Sequence, residues 1–299
     1  MPEPVRFFNR YTNRIETEAI YGERPLRLAY ETAIGRGLLE LLVKRPVFSR
    51  WYGRRMDRPA SRSGILPFIQ TYALDASEFA DPPESFRTFN EFFYRRLKPD
   101  ARPIVAGADK VVFPADGRHL GFQDVSRCDG VFVKGQRFDL ASLLGDAALA
   151  ERFSAGTLIL SRLCPVDYHR FHFTASGVPW QPRLLNGPLY SVSPIALRRR
   201  LAYLWENKRV LTLLETERFG TVALLEIGAT NVGSIRQTFT AGQPVAKGEE
   251  KGFFAFGGSS TITLFASGKV RLSEDLLRHS AAQCELYARM GDACGTAVD

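Results

Sequence analysis

Apolar residues recur at helical spacing in the first part of the chain. Between residues 25 and 48 they return every three or four positions until Pro46 interrupts them, which predicts an amphipathic helix. This apolar face consists of Leu28, Ala29, Ile34, Leu38, Leu41 and Leu42. A second helix is predicted after Ser85 or Thr88, either of which can cap it, and Pro99 is expected to end it.

From Lys110 onward the pattern changes to short, strand-like apolar runs separated by Gly, Asp and Pro. Many short strands at this spacing are typical of an antiparallel sandwich or a partly closed barrel. One helix is predicted among them, from Leu140 to Phe153. The predicted fold class is therefore α+β: a basic helical region over residues 1–100 packs on a large, mostly antiparallel β-sandwich or barrel-like core over residues 101–299.

The composition is basic and contains enough apolar residues for a large core. The chain has 299 residues, of which 45% are hydrophobic, and a net charge of +8. This charge favours an anionic partner, and nucleic acid, an acidic membrane surface and an anionic substrate all satisfy it. The four cysteines have no C-x-x-C spacing, so we expect free thiols in a reducing compartment. The N-terminal pattern does not resemble a secretory leader.

Basic and aromatic side chains are interleaved near the N-terminus. Residues 1–62 contain 13 Lys or Arg against 7 Asp or Glu, which suits the headgroup layer of an anionic membrane. The same pattern also suits a solvated helical hairpin whose aromatic side chains face the core. On the membrane interpretation, the lipid-facing residues are among Phe7, Phe8, Leu38, Leu39, Leu41, Leu42 and Trp51. No apolar run of the sequence approaches the ~18 residues needed to span a bilayer.

Near the C-terminus, two glycines precede Ser259 inside an apolar, strand-like run. Glycine at 258 leaves its carbonyl uncovered, and the Ser259 hydroxyl can attack that carbonyl if a base and an orienting group lie beside it. Asp116, His169 and His172 are candidates for these roles. Each also has a structural explanation: Asp and the Gly-Ser pair are common in turns, and each histidine taken singly is compatible with an ordinary core or surface position. On a regular strand, residues three apart point to opposite faces, so both histidines reach one site only across a turn or bulge.

Taken together, these segments resemble the phosphatidylserine decarboxylase family, pyruvoyl-dependent enzymes that make phosphatidylethanolamine. The resemblance covers about residues 21–291 and is to the longer, bacterial form of the family. At Ser260 the family usually has Thr; the hydroxyl is kept, so processing is expected to survive. The motifs that carry the resemblance are FNEFFYRRLKPDARPI (89–104), FPADGR (113–118), VFVKGQRFDLASLLGD (131–146), PVDYHRFHF (165–173), NGPLYSV (186–192), ENKRV (206–210), FGTVALLEIGATNVGSI (219–235) and FAFGGSS (254–260).

For the site, the resemblance implies self-cleavage between Gly258 and Ser259 by a triad of Asp116, His172 and Ser259. Asp116 would fix the imidazole tautomer and His172 would take the Ser259 proton. The hydroxyl would then attack the Gly258 carbonyl, and the ester formed would eliminate. Residue 259 would end as a covalent pyruvoyl cofactor.

The resemblance also implies the assembly and the decarboxylation. A large chain (1–258) and a small chain (259–299) would stay together as a heterodimer, and a homodimer of such pairs is a family-level expectation. The pyruvoyl group would form a Schiff base with the serine amine of phosphatidylserine and take up the electrons left by CO₂. His169 would protonate the resulting carbanion. No metal or diffusible cofactor is implied.

The implied partners are phosphatidylserine and an anionic membrane surface, without nucleic acid. The implied location is peripheral, on the cytoplasmic face of a bacterial cell membrane. Two other functions compete: a hydrolase in which Asp116, His172 and Ser259 act on an external ester, and a non-catalytic β-module that binds acidic lipid. Both require an unbroken chain, so the intact mass separates them from the decarboxylase.

Overall fold

The computed structural model describes residues 4–127, 138–230, 235–255, 257 and 259–298. Within these ranges the α-helices are α1 (Glu23–Glu31), α2 (Ala33–Leu38), α3 (Pro46–Met56), α4 (Ile65–Thr71), α5 (Phe89–Phe93), α6 (Leu140–Leu144), α7 (Ala147–Arg152), α8 (Pro194–Leu197), α9 (Tyr203–Glu206) and α10 (Glu274–Ala281). The strands are β1 (Arg6–Asn9), β2 (Arg14–Thr17), β3 (Lys110–Val112), β4 (Gly117–Phe122), β5 (Thr157–Leu163), β6 (Arg170–His172), β7 (Val178–Pro179), β8 (Arg183–Leu185), β9 (Arg209–Thr216), β10 (Gly220–Gly228), β11 (Ile235–Gln237), β12 (Glu250–Phe254), β13 (Ser259–Phe265), β14 (Val270–Leu272), β15 (Glu285–Ala288) and β16 (Ala293–Ala297).

The predicted N-terminal helix forms as shorter pieces. Thr32 separates α1 from α2, and its side chain caps α2 by accepting a hydrogen bond from the Gly35 amide at 3.0 Å. A Cβ on Gly35 would meet the Leu28 carbonyl oxygen at 1.8 Å, so this close turn requires glycine. A π-helical turn over Leu39–Val43 follows. Pro46, expected to end the pattern, instead opens α3, where its missing amide is tolerated.

The second predicted helix begins where expected but ends early. Thr88 caps α5 by accepting from the Glu91 amide at 3.2 Å. The helix stops at Phe93 rather than Pro99 because the chain then pairs with a neighbouring segment. The Ala80 amide donates to the carbonyl of residue 96 at 3.0 Å, and the amide of residue 98 donates to the Glu78 carbonyl at 2.9 Å. The helix predicted from residue 140 to residue 153 is also divided, into α6 and α7, at a glycine with φ of +62°.

The centre of the described fold is an open, ten-stranded sheet in the order β2-β1-β15-β4-β5-β13-β10-β9-β7, with β8 also paired to β9. Its pairings are antiparallel except that between β1 and β15. The α+β class with a large, mostly antiparallel core is therefore confirmed. The sheet does not close into a barrel, since β2 and β7 are its two edges.

The strands β1 and β2 lie inside the region predicted to be helical, so that part of the prediction is wrong. β1 runs parallel to β15, with Phe7 opposite Glu285. A pairing between the two ends of the chain leaves no trace in local periodicity, which is why the pattern could not indicate it. The division of the chain at residue 100 stays a prediction.

Both faces of the large sheet are buried. On one face, Ile262 and Leu264 of β13 pack with side chains from α6, α7, α8 and α9. On the other face, Phe265 of the same strand packs with side chains from α10 and from the three-stranded sheet β14-β16-β3. A further three-stranded sheet, β11-β12-β6, carries Phe171 and Phe254, which pack against Leu163 of β5. β13 thus occupies the middle of the molecule, and Ser259 is its first residue.

Candidate active site

Ser259 lies between Leu163 of β5 and Gly228 of β10. Its side chain is completely buried, and its Oγ has no hydrogen-bond partner among the described residues. Leaving a buried hydroxyl unpaired costs about 1–3 kcal/mol, and such groups in native proteins often have a functional reason. Gly258, the other residue of the predicted cleavage site, lies outside the described residues.

His172 ends β6 and presents a neutral ring. Its Nδ1 lies 2.9 Å from the carbonyl oxygen of Gly248. A carbonyl only accepts, so Nδ1 carries the proton and Nε2 keeps its lone pair. Burial lowers the pKa of His172, against smaller opposing contributions from the Gly248 carbonyl and the Glu250 and Asp116 carboxylates. A neutral imidazole with a free Nε2 is the form that a general base needs.

Ser259 and His172 lie on the same side of the large sheet. Ser259 and Thr261 share one face of β13, because alternate residues of a strand point the same way. Thr261 and His172 line one small cavity of about 10 Å³. His172 Nε2 and Ser259 Oγ are each without a hydrogen-bond partner in the described parts of the chain. The predicted base and nucleophile therefore share a region of the described structure but are not hydrogen-bonded to each other.

Asp116 does not hold the position expected for the third member of the triad. Arg102 Nε lies 3.0 and 2.9 Å from its two carboxylate oxygens, and the Met290 amide donates to Oδ1 at 2.9 Å. The predicted hydrogen bond between Asp116 and His172 is not formed, because Arg102 engages the carboxylate and the Gly248 carbonyl holds the ring. Asp116 nevertheless stays close to His172, because the His172 amide donates to the carbonyl of Pro114, two positions before Asp116, at 2.7 Å.

His169 precedes β6 and is completely buried. Its Nδ1 lies 3.0 Å from the Asp167 carbonyl oxygen, and its ring lies 3.9 Å from that of Phe93. Burial lowers the pKa of His169 to about 3. The backbone groups of Asp167 and Gly257 raise this pKa, but by less than burial lowers it. The His169 carbonyl accepts from the Phe254 amide at 2.9 Å. His169 thus contacts the segment that leads into Ser259. It directly precedes the short strand β6, whose last residue is His172.

A cluster of buried charges beside the site was not predicted. Arg162 joins Glu18 and Glu285 at 2.6 and 2.5 Å. Arg118 binds Asp167 at 2.6 Å, and the other oxygen of Asp167 accepts from the amide of residue 164 at 2.6 Å. Arg118 and Asp167 stand in the FPADGR and PVDYHRFHF motifs, so the motifs contained the signal. Their role here is to fix the main chain that carries His169.

A cavity of about 640 Å³ connects the N-terminal helices with this region. Its walls are mainly apolar and aromatic, and Gly257 also lines it. The polar side chains in the lining are Glu18, Arg162, Cys164, Ser191, Ser193 and Thr230. Gly257 stands two positions before Ser259, so the cavity reaches the main chain next to the predicted cleavage site. Other lining residues include Tyr21, Pro25, Leu26, Ala29, Tyr30, Leu39, Tyr52, Tyr72, Leu163, Pro165 and Val192.

The helices around this cavity expose large apolar side chains. Leu38, Leu41 and Trp51, all predicted to face lipid, are 48%, 68% and 56% exposed. Phe7 and Leu39, predicted with them, are buried in the core instead. Further exposed apolar residues of these helices are Leu28, Ile34 and Val47. Phe8, also predicted to face lipid, stacks on the ring of His279 at 3.9 Å between ring centroids. The Leu42 side chain lies outside the described ones, so its prediction is not tested.

Comparisons with known proteins show the family of this chain. Residues 89–296 match the family model described as phosphatidylserine decarboxylase. A protein of Chlamydia pneumoniae named phosphatidylserine decarboxylase proenzyme is 43% identical over 290 residues, covering 97% of this chain and 96% of that protein. One of the same name from Fusobacterium nucleatum is 40% identical over 293 residues, covering 98% of both. The chain belongs to the phosphatidylserine decarboxylase family.

This phosphatidylserine decarboxylase family member is therefore a carboxy-lyase. The matched region contains every predicted site residue, namely Asp116, His169, His172, Gly258 and Ser259. Their individual roles stay predictions. Among the helices of the described ranges, none combines the length and the apolar character needed to cross a bilayer.

Proposed function

We propose that this chain decarboxylates phosphatidylserine to phosphatidylethanolamine, using a pyruvoyl group that it makes from Ser259 by cutting itself after Gly258. The observation that carries the proposal is a buried, unpartnered Ser259 hydroxyl on the same side of the sheet as the free Nε2 of His172. A hydrolase would use the same hydroxyl in an unbroken chain, so the state of the chain at residue 259 separates the two functions.

Self-cleavage uses His172 as both base and acid. Its Nε2 takes the Ser259 proton, Oγ bonds to the Gly258 carbonyl carbon, and the peptide C–N bond breaks as the proton passes to the nitrogen of residue 259. The ester then loses the α-proton of residue 259, and its Cβ–Oγ bond breaks to release the Gly258 carboxylate. Addition of one water and loss of ammonia convert residue 259 to the pyruvoyl group.

The surroundings of residue 259 fit such a group. The residue is held by main-chain pairing to β5 and β10, and the cavity comes within two positions of it along the chain. When bound there, a pyruvoyl group supplies an electron sink for the pair left on the substrate by CO₂. The chain itself provides an apolar cavity for the acyl part of the lipid and directs the headgroup toward Gly257.

His169 is suited to move a proton at Nε2. Because Nδ1 donates to the Asp167 carbonyl, Nε2 is unprotonated at rest and has no partner among the described residues. It can therefore accept a proton from the substrate ammonium and return it to the carbon that has lost CO₂. The net proton count of the enzyme is then unchanged after each turnover.

Membrane docking follows from the exposed apolar side chains around the cavity. Leu38, Leu41 and Trp51 can enter the headgroup layer, and the surrounding Lys and Arg each contribute about 1 kcal/mol near an anionic leaflet. Such a surface binds reversibly and places the cavity at the level of the lipid headgroups. It supports a peripheral location on the cytoplasmic face of the cell membrane.

The decisive experiment is an intact mass of the purified, active protein. We expect a large chain ending at Gly258 and a small chain that begins with a blocked residue 259, together with CO₂ release from phosphatidylserine vesicles. Ser259→Ala is expected to give one full-length, inactive chain. An active protein that consists of a single unbroken chain with an ordinary serine at 259 rejects the proposal.

A further inference from the structure

Arg102 belongs to the FNEFFYRRLKPDARPI motif and has no part in the chemistry described above. Its side chain is only 8% exposed. Besides the two contacts from Nε, Nη2 lies 2.7 Å from Asp116 Oδ2 and 2.9 Å from Glu78 Oε2. Nη1 donates to the Ala101 carbonyl at 2.6 Å. Each nitrogen of the guanidinium therefore has an acceptor, and its charge is shared between two carboxylates.

Asp116 connects Arg102 to the segment that follows the proposed cut. Its Oδ1 accepts from the amide of Met290, which belongs to the proposed small chain. The neighbouring turn is closely docked, because a Cβ on Gly291 would meet the Pro103 carbonyl oxygen at 2.6 Å. Asp116 cannot turn toward His172 without breaking these bonds, so Arg102 determines where the negative charge lies.

We infer that Arg102 is a positioning residue for self-cleavage: it holds the Asp116 carboxylate in place and balances its charge beside His172. The inference rests on the proposed self-cleavage and adds a residue to it. It also gives Asp116 a role that needs no hydrogen bond to the histidine. The Gly248 carbonyl, at 2.9 Å from Nδ1, already sets the tautomer.

The charges that face His172 come from several elements. The carboxylates of Asp116, which precedes β4, and Glu250 of β12 favour the protonated ring, and Arg170 of β6 opposes them. Across the small cavity lie Glu226 of β10 and Lys251 of β12, whose charges are paired with each other at 2.7 Å. Arg102 is bound to Asp116 and to Glu78, so replacing it changes the charge at Asp116 directly.

Loss of the Arg102 cation is expected to raise the pH at which cleavage begins. Without Arg102 the charge of the Asp116 carboxylate is no longer balanced and raises the pKa of His172, so the free Nε2 appears at higher pH. This moves the acid limb of the rate profile upward, by about 1 to 3 pH units for a lost neighbouring charge.

The test compares self-cleavage of the full chain and its variants, made by cell-free translation and sampled over time across a pH series. The amount of large chain on a denaturing gel gives the rate. Arg102→Met is expected to cut at least about tenfold more slowly at neutral pH, with its acid limb at least about one unit higher. Arg102→Lys keeps the charge but loses the planar guanidinium that bonds both carboxylate oxygens. Its cleavage rate at neutral pH should therefore lie between those of the wild type and Arg102→Met.

Arg289→Met is the matched control, because Arg289 lies 3.5 Å from Glu78 but does not bond Asp116. It is expected to keep the wild-type acid limb. An unshifted limb in Arg102→Met overturns the inference, since a purely structural arginine lowers the rate equally at every pH. If Arg102→Met fails to fold, Arg102→Gln decides in the same way, because it also removes the charge while keeping a hydrogen-bond donor. A wild-type chain that never cuts refutes the proposed function itself, and this inference with it.

Discussion

The ion pair between Lys251 and Glu226 lies where the small sheet β11-β12-β6 meets the large one. Nζ of Lys251 lies 2.7 Å from Glu226 Oε2, and the two side chains are 1% and 3% exposed. Gln237 completes the network, donating to Glu226 at 2.7 Å and accepting from Lys251 at 3.0 Å. The network therefore ties β10 to β11 and β12, and β12 leads directly into the site.

Lys251→Met removes the cation and leaves a buried carboxylate whose remaining partner in this network is an amide. Breaking a buried pair in this way costs about 3–5 kcal/mol. The unfolding entropy of about 2.1 cal/mol/K per residue gives about 0.6 kcal/mol per kelvin for a chain of this length, so the melting temperature should fall by about 5–8 °C. Adding Glu226→Leu should recover most of the loss, because exchanging a buried pair for apolar side chains is often neutral or stabilising.

The assay is thermal and urea unfolding in a Ser259→Ala background, which keeps the chain uncut. Lys269→Met, a change at an exposed lysine, is the control and should alter stability by less than about 0.5 kcal/mol. The reasoning is refuted if Lys251→Met costs less than about 1 kcal/mol, or if the double variant is as unstable as the single one. Either result would mean that water or local movement already stabilises the carboxylate.

Three further predictions follow from the site and its surroundings. His169→Ala is expected to yield both fragments but to lose at least about a hundredfold in CO₂ release from phosphatidylserine vesicles, because its proton transfer is gone. The pair Leu38→Ser and Leu41→Ser should weaken flotation with anionic vesicles by at least about tenfold, since each buried leucine contributes about 1.5–3 kcal/mol. Ile15→Ser is the control for that pair: Ile15 is 63% exposed but lies on β2 and should leave flotation unchanged. Although burial raises the pKa of Glu18, its contacts with Arg162 outweigh this and bring it from 4.5 to about 2. The stability from ionised Glu18 is therefore present above pH ~4.5 and lost as the pH falls toward 2, so Glu18→Gln should flatten urea stability across that range.

Sequence patterns predicted the residues of the site better than their contacts. The motifs indicated Ser259, His169 and His172, and the structure buries all three, while their roles stay predictions. The partner of His172 Nδ1 could not be predicted, because it is a main-chain carbonyl and carries no residue-type signal. Arg102 was visible as a motif residue, but its pairing with Asp116 depends on the folded course of the chain between them.

The limits of the fold prediction have a similar origin. Short apolar runs indicated the strands of the antiparallel core, because the pattern of apolar residues in each strand shows which of its faces are buried. β1 escaped detection because its pairing with β15 is a long-range contact. Helical periodicity likewise marks an apolar face without saying what covers it. Leu39 therefore proved to be buried in the core, whereas Leu41 of the same segment is exposed.

The position of β13 explains how a cut could occur without separating the two products. β13 is paired on both sides with strands of the proposed large chain, and β15 lies between β1 and β4 of that same chain. Arg162 of β5 also holds Glu285 of β15 at 2.5 Å. Separation would expose apolar side chains such as Ile262 to water, at about 1.5–3 kcal/mol each. The contacts that hold Ser259 before cleavage would thus hold residue 259 afterwards, so a group made there needs no separate binding site.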